Sequence, residues 1–541
     1  MSGPPTRRAA LVAGAAAFVG AAAGQAGAQA APSREAVLQA MRRATRFMTD
    51  RVAYNGGYVW SYLPDFSRRW GELEARPTMV WVQPPGTATM GHLYLDAFHA
   101  TGEDQYYAAA EQAAAALIYG QHPSGGWNYL IDFGGEGSIR DWYGTYGQNA
   151  WRMEEFHHYL GNATFDDAGT SEVMQFLLRL YLEKRDPKYR PALERAIGYV
   201  LESQYPVGGW PQRHPHADHG PEYARYITFN DDVAGENIKF LVMVYQTLGD
   251  ARVLDAITRA MTSFLVTQQG QPQPGWALQH DLDLKPAAAR SYEPLALATH
   301  TTATNLAQLM SFYELTGDAK FLARVGEGLD WLDKVRLVRP RPDGRTHPTF
   351  IEIGTDRPLY VHRTGSNAVN GRYFADHSDQ KTLGHYSAYR KIDVAAMRHR
   401  LERLKATPPA EASRNSPLLS KTPIVLPRFF ANQDISTSDL NAVRAPPAGD
   451  KGEAVGRILS ELNTEGWWPS RLAAMSNPYR GPGPKTPTPG DYASTHVGDA
   501  WDTSPYPVKD GPVGISIAHY IGNMSTLIGW LEQENTGRNR T

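Results

Sequence analysis

A phrase in which a glutamine precedes a turn that closes on Gly-x-Trp recurs along this chain. Complete copies span Gln121–Trp127 and Gln204–Trp210, a looser copy ends at Trp276, and shorter echoes are Gly57–Trp60 and Gly466–Trp467. Each complete copy follows two segments of helical periodicity joined by a short polar turn. A repeated helical hairpin buries its apolar face only against neighbouring hairpins. The sequence therefore predicts a helix-dominated solenoid or closed ring of helix pairs.

Apolar periodicity gives the organisation of the chain in more detail. A helix is predicted to start after the cap residue Ser33, and the first clear hairpin is predicted over 91–119. Further helices are predicted at 172–183, 190–204, 233–248, 253–268, 302–315, 320–335, 394–404, 451–462 and 515–532. Minor β structure is expected at Pro348–Glu352 and Leu359–Val361. A Pro- and Ser-rich stretch at 407–427 is the best candidate linker. We divide the chain into an N-terminal helical part (31–160), a catalytic core (161–405), and a linker with a C-terminal extension (406–541).

The first thirty residues have the pattern of an export signal. Arg7 and Arg8 precede an Ala-rich apolar run, and small residues at Ala28–Ala30 fit a cleavage site. The paired arginines suit twin-arginine export, and an ordinary secretory signal is the alternative. The apolar run is too short to anchor the mature protein in a membrane. The expected location is periplasmic or secreted.

Composition excludes several classes of function. The formal net charge is −2 over 541 residues, and no basic stripe suggests a nucleic-acid partner. The chain has no cysteine, which rules out disulfides, zinc–thiolate sites and a thiol nucleophile. A Gly-x-Ser-x-Gly motif and a phosphate-binding glycine loop are also missing from the sequence.

Two acidic motifs follow an identical Thr-Phe pair at predicted helix starts. One contains Asp166 and Asp167, and the other contains Asp231 and Asp232. Aspartates at helix starts are ordinarily caps, but a cap needs only one carboxylate. Carboxylates clustered from neighbouring helices repel one another unless a cation lies between them, and all-oxygen donors suit calcium. Helix capping and calcium binding both remain open on these residues alone.

Two loops carry arginines that are candidates for a catalytic or binding role. Arg290 and Glu293 lie in the loop after the third repeat, and Arg363 lies in a later loop that ends at Gly365. A structural ion pair between Arg290 and Glu293 is the simpler interpretation of that local sequence.

In their order along the chain, four phrases resemble the pectate lyases of polysaccharide lyase family 10, the pectic acid lyases. The phrases are Gly208–Gln212, Ile227–Asp232, Gln279–Asp281 and Ala289–Glu293. The resemblance implies an α/α toroid and calcium-assisted β-elimination of polygalacturonate, an acidic polysaccharide, to 4,5-unsaturated uronides. It also implies that an arginine acts as the base.

The same resemblance assigns roles to individual residues. It implies Arg290 as the base and Asp166 with Asp231 or Asp232 as the calcium ligands. Arg363 resembles an arginine that grips a sugar carboxylate. Two positions depart from the family pattern. Asp167 stands where asparagine is usual, and Lys381, before the turn Gly384–Tyr386, replaces an expected arginine pair as the substrate-binding cation.

Three other functions remain as alternatives. A glycoside hydrolase on the same kind of toroid would use paired carboxyl groups such as Asp166 and Asp232. A triterpene-cyclase-like protein shares the Gln-to-Trp repeat phrase, but the Asp-x-Asp-Asp acid motif of that class is missing from this sequence. A non-catalytic polysaccharide-binding protein is the third alternative.

Overall fold

A computed structural model describes residues 32–384, 387–419 and 451–538. The predicted signal at 1–30, His385 and Tyr386 of the predicted turn, and the second part of the predicted linker lie outside the described residues. The helices are α1 (Arg34–Phe47), α2 (Thr87–Thr101), α3 (Asp104–Tyr119), α4 (Glu136–Trp142), α5 (Gly169–Lys184), α6 (Arg190–Ser203), α7 (Val233–Leu248), α8 (Val253–Thr267), α9 (Thr299–Thr316), α10 (Val325–Lys334), α11 (Val394–Ala406), α12 (Pro409–Ala412), α13 (Lys451–Glu461) and α14 (Ile517–Arg538).

The predicted helices are confirmed, with their ends shifted by a few residues. Ser33 caps α1 by accepting a hydrogen bond from the Ala36 amide. The helix predicted at 320–335 is interrupted, because a 3-10 turn at Ala319–Leu322 precedes α10. Among the described residues, no helix is long and apolar enough to cross a membrane.

Short strands line the loops between the helices. They are β1 (Ser61–Tyr62), β2 (Arg69–Trp70), β3 (Glu74–Ala75), β4 (Met79–Trp81), β5 (Leu130–Asp132), β6 (Ala163–Thr164), β7 (Arg213–His214), β8 (Ile227–Thr228), β9 (Gln279–His280), β10 (Pro286–Ala287), β11 (Leu297–Ala298), β12 (His347–Pro348), β13 (Phe350–Ile351), β14 (Pro358–Thr364), β15 (Arg372–Asp376), β16 (Tyr389–Arg390), β17 (Ser470–Arg471), β18 (Ala474–Ser476), β19 (Pro505–Pro507) and β20 (Val513–Ser516). The largest sheet has the order β17-β20-β1-β2-β3, and antiparallel pairing of β1 with β20 joins the N-terminal part to the C-terminal extension.

The helices form the α/α toroid that the resemblance implies. Helices α2, α5 and α7 lie side by side in the inner layer, and α14 packs against α2. Each inner helix pairs with an outer helix of its own hairpin, as α2 does with α3, α5 with α6 and α7 with α8. The first three turns of α7, from Val233 to Val244, are buried on every side, as expected for a helix enclosed by others.

The repeated phrase fixes the order of the outer helices. In four copies a glycine with φ between 84° and 104° lies against a backbone carbonyl of the next outer helix. A Cβ at any of these glycines would lie 2.0 to 3.0 Å from that carbonyl oxygen. The pairs are Gly466 with Arg43 of α1, Gly56 with Gln112 of α3, Gly125 with Arg195 of α6, and Gly208 with Arg259 of α8. Helix α13, in the C-terminal extension, therefore precedes α1 in the ring.

The tryptophan of the phrase is a structural anchor. Trp127 and Trp210 are fully buried, and each indole N–H donates to a carbonyl ten residues earlier, at 2.7 and 2.8 Å. In the echo at residue 466, Trp468 makes this bond, to Ile458 at 2.8 Å, whereas the Trp467 indole donates to Glu465. The tryptophans at these positions therefore serve the packing of the helical core.

Candidate functional site

The two acidic motifs adopt the same backbone conformation. Each begins with a 3-10 turn, Asp166–Ala168 or Asn230–Asp232, and the two turns contact each other. Positive φ angles of 51° to 56° occur at the second and third positions of each turn, namely Asp167, Ala168, Asp231 and Asp232. This left-handed conformation costs a residue other than glycine about 1–2 kcal/mol. Strain repeated at equivalent places is typical of functional turns rather than of simple helix caps.

Arg290 joins the arginine loop to the first acidic motif. Its side chain is fully buried, and Nη2 donates to Asp166 Oδ2 at 2.5 Å. Nη1 donates to Glu293 Oε1 at 3.1 Å, and Glu155 Oε2 lies 3.7 Å from Nε. The Glu293 carboxylate also accepts from Asn230 of the second motif at 3.2 Å. The loop therefore contacts the first motif through Arg290 and the second motif through Glu293.

The predicted ion pair between Arg290 and Glu293 is present, but it is one part of a larger cluster. The sequence argument missed three further members, namely Tyr129, Tyr292 and Glu155. Tyr129 donates its hydroxyl to Asp166 Oδ2 at 2.6 Å, and Tyr292 donates to Glu155 Oε2 at 2.9 Å. Tyr292 could have been found from the sequence, because it belongs to the same phrase as Arg290. Glu155 and Tyr129 had none, because they come from irregular segments with no helical period.

Opposing influences act on the proton of Arg290. Burial lowers the pKa of this guanidinium, but the charges of Asp166, Glu293 and Glu155 outweigh burial and raise its pKa well above the ordinary value. Burial, followed by the charge of Asp166, also raises the pKa of the Tyr129 phenol. In this arrangement both side chains keep their protons at neutral and mildly alkaline pH.

The second acidic motif presents its carboxylates beside the start of α7. A Cβ at Gly235 would lie 2.3 Å from Asp232 Oδ1 and 2.6 Å from Gln308 Nε2, so this glycine makes room for the Asp232 side chain. In the first motif, Asp167 Oδ2 accepts from Gln83 at 2.8 Å. The departure from the family pattern at Asp167 therefore has a local hydrogen-bond partner.

Metal binding remains a prediction. Within the described residues, no group of three or more His, Cys, Asp or Glu side chains is arranged to hold a metal ion. The oxygen donors of Asp166 and Asp231 nevertheless belong to two turns that touch, and carboxylate oxygens are the ligand type that calcium prefers. Their chemistry fits calcium if a ligand from outside the protein completes the set.

The two predicted substrate-binding cations contact the C-terminal extension. Arg363 is 2 % exposed, and its Nε and Nη2 donate to the Tyr492 carbonyl at 3.1 and 3.0 Å. Nη2 also donates to the Thr495 carbonyl at 2.6 Å. Lys381 forms an exposed ion pair with Asp491, with 2.8 Å between Nζ and Oδ2. Their contact with substrate stays a prediction.

Comparison with protein families decides the class of the domain. Residues 138–376 match the family model described as pectic acid lyase. These residues form a pectic acid lyase domain. The resemblance drawn from the four phrases is thereby confirmed for this segment. The pectic acid lyase segment includes Asp166, Asp231, Asp232, Arg290 and Arg363, whereas Lys381 lies beyond its end.

Solved structures give weaker likenesses to this chain. A family 10 polysaccharide lyase from Cellvibrio cellulosa is 20% identical, with a TM-score of 0.35, covering 49% of this chain and 82% of that chain. A mutant of that lyase in complex with trigalacturonic acid is 19% identical, with a TM-score of 0.36, covering 54% and 97%. A GH76A α-1,6-mannanase from Salegentibacter sp. HEL1_6 is 10% identical, with a TM-score of 0.36, covering 92% and 99%. These values are too low to carry an inference about activity. A search of curated proteins finds no match.

Proposed function

We propose that this protein cleaves polygalacturonate by calcium-dependent β-elimination, with Arg290 as the base. The observation that carries the proposal is the 2.5 Å contact between Arg290 and Asp166 inside a pectic acid lyase domain. It brings the candidate base and the candidate metal ligand to the same point. Two carboxylates, Glu155 and Glu293, hold the guanidinium in place from other sides.

Elimination begins with loss of the C5 proton of a uronate, which puts negative charge next to a carboxylate that is already charged. Calcium, when bound, neutralises that carboxylate and the charge that develops beside it. Asp166 and one aspartate of the Asp231–Asp232 pair are the residues that would hold it. The carboxylate of the substrate is the external ligand that would complete the set.

A base must first be able to give up its own proton. Asp166 and Glu293 oppose that loss at Arg290, because each stabilises the charged guanidinium. Turning Asp166 away from Arg290 would remove the nearest of these charges and make the neutral form less costly. Arg290 is also fully buried, so a sugar ring contacts it only after a neighbouring side chain moves. Substrate binding and activation of the base are therefore coupled in this proposal.

The decisive experiment follows the products formed from polygalacturonate. Elimination leaves a 4,5-unsaturated uronide that absorbs ultraviolet light, and the proposal expects this signal with calcium and its loss when a chelator is added. Saturated reducing ends without ultraviolet absorbance would instead indicate hydrolysis. Binding without either product would indicate a non-catalytic protein.

A calorimetric titration tests calcium binding independently of catalytic activity. Asp231→Asn removes one negative charge from the second motif and is expected to weaken calcium binding to the protein in the presence of trigalacturonate. Asp186→Asn is the matched control, because Asp186 caps a remote turn through the Lys188 amide. Equal calcium affinity in both variants would exclude Asp231 as a ligand.

A further inference from the structure

The C-terminal extension reaches the site from the side of Arg363. Its five residues Asp491–Thr495, here called the wall segment, contact both cations that were predicted to bind substrate. The guanidinium of Arg363 donates to two backbone carbonyls of the wall segment. The ammonium of Lys381 pairs with its first residue, Asp491. Backbone and side-chain oxygens of the protein thus lie where sugar carboxylates were expected.

The wall segment is held as a packed structure rather than laid loosely over the surface. Gly384 lies so close to it that a Cβ there would be 2.6 Å from the Ser494 carbonyl oxygen. Just beyond the wall segment, the buried carboxylates of Asp499 and Asp502 accept hydrogen bonds from Asn367 at 2.8 Å and from the Trp151 amide at 3.1 Å. Buried, hydrogen-bonded carboxylates are costly to disturb. The wall segment is therefore a fixed part of the fold.

A short series of side-chain contacts connects the wall segment to Arg290. The guanidinium of Arg363 stacks 4.2 Å above the ring of Trp151. Tyr373 donates to the Trp151 carbonyl at 2.9 Å and packs against Tyr292, with 5.4 Å between ring centroids. Tyr292 donates to Glu155, which lies against Arg290. Only a few side-chain layers separate the wall segment from the candidate base, so there is little room for sugar units on that side.

We infer that the wall segment closes the substrate site at Arg363, so that an acidic polysaccharide bound at Arg290 terminates there and is cleaved near one chain end. This inference rests on the proposed function and adds its mode of action. Arg363 and Lys381 then serve the protein as anchors of the wall segment, and the polymer extends from Arg290 in the opposite direction only.

The test compares the viscosity of polygalacturonate with the ultraviolet absorbance as the wild-type protein acts. Cleavage near a chain end releases short products of one narrow size class from the start, and viscosity falls only in proportion to the mass released. A rapid loss of viscosity with products of many lengths would overturn the inference.

If neither product nor absorbance appears, the proposed function fails. Binding stoichiometry then decides the inference. One protein bound per chain, whatever the chain length, supports a closed site, and several per chain overturn it.

Two variants separate a wall anchor from a substrate ligand. Arg363→Met removes the hydrogen bonds to Tyr492 and Thr495 and loosens the wall segment. It is expected to shift the products towards longer and more varied lengths, whereas loss of a substrate ligand would raise KM with product sizes unchanged. Asp491→Ala removes an exposed ion pair with Lys381 and an exposed hydrogen bond from the Ala493 amide, and it is the variant safest for folding. Because exposed pairs contribute little, we expect KM within about twofold of wild type. A clear fall in KM, produced by the freed Lys381, would overturn the inference.

Discussion

Arg290 Nη2 lies 2.5 Å from Asp166 Oδ2, although 124 positions separate the two residues in the chain. Both side chains are fully buried, so water does not stabilise either charge. Asp166 is fixed at its backbone, where its amide donates to Thr164 Oγ1 at 3.1 Å in the turn that opens α5. Arg290 is fixed by its own amide, which donates to Glu293 Oε2 at 3.0 Å. Two local turns thus hold the two partners of this charge pair.

Replacing Arg290 tests stability and turnover separately. Arg290→Ala leaves three buried carboxylates without their cation, which is expected to cost about 3–5 kcal/mol of unfolding free energy. Arg290→Lys keeps a cation and is expected to be nearer wild type in denaturant unfolding. Turnover of polygalacturonate should still fall by roughly 10²–10⁴-fold in the lysine variant, the typical contribution of a positioned base. A folded lysine variant with wild-type turnover would contradict the assignment of Arg290.

Replacing Ala168 tests the strain in the first acidic turn. Ala168 has φ = 56°, which alanine adopts at a cost and glycine adopts freely. We expect Ala168→Gly to raise the unfolding free energy by about 0.5–1 kcal/mol. Ala108→Gly in the exposed face of α3 is the matched control, and it should lower that free energy by about 1 kcal/mol. Chemical denaturation of both variants checks the opposite signs, and two changes of the same sign would remove the claim of strain.

Replacing a glycine of the repeat phrase tests the contact between successive hairpins. Gly208 and Gly249 both have positive φ, at 104° and 66°, but only Gly208 touches another element. Gly249→Ala should cost about 1–2 kcal/mol from the backbone alone. Gly208→Ala adds a collision with Arg259, so its total cost should be larger by about 1–3 kcal/mol. Equal melting-temperature losses in the two variants would show that close approach of the hairpins is unimportant.

Acidification should destabilise the protein through His280, which lies in one of the four family phrases. Burial lowers the pKa of this imidazole from 6.5 to about 4. The unfolded chain binds the proton more tightly than the folded chain, so stability is present above pH 6.5 and is lost as the pH falls towards 4. At 1.36 kcal/mol per pKa unit, the free energy of unfolding falls by about 3 kcal/mol over this pH range.

The measurement for this pH prediction is the denaturation midpoint at pH 7 and pH 4.5. Other buried histidines, including His300 and His347, have their pKa values lowered by burial in the same direction. His280→Gln therefore serves as the reference, and its loss of stability on acidification should be smaller than that of the wild type. Identical losses would mean that His280 does not contribute.

The local sequence pattern was sufficient to predict the helices and to identify Arg290 as a site residue. The 3.6-residue period located α5 to α10, and the phrase around Arg290 identified the residue that pairs with Asp166 of the first acidic motif. The same pattern missed Tyr129 and Glu155, because a residue in an irregular loop carries no periodic signal of the side chain it will touch.

The sequence by itself determined the helical hairpins, the glycines that let them approach and the tryptophans that anchor them, because each of these depends on a few neighbouring residues. Only the tertiary structure decided the order of the ring, with α13 placed before α1, and the enclosure of Arg363 by Tyr492 and Thr495. The physical reason is that an amphipathic helix or a charged side chain specifies that it must be covered or paired. Which of many chemically equivalent surfaces does so depends on how the whole chain packs.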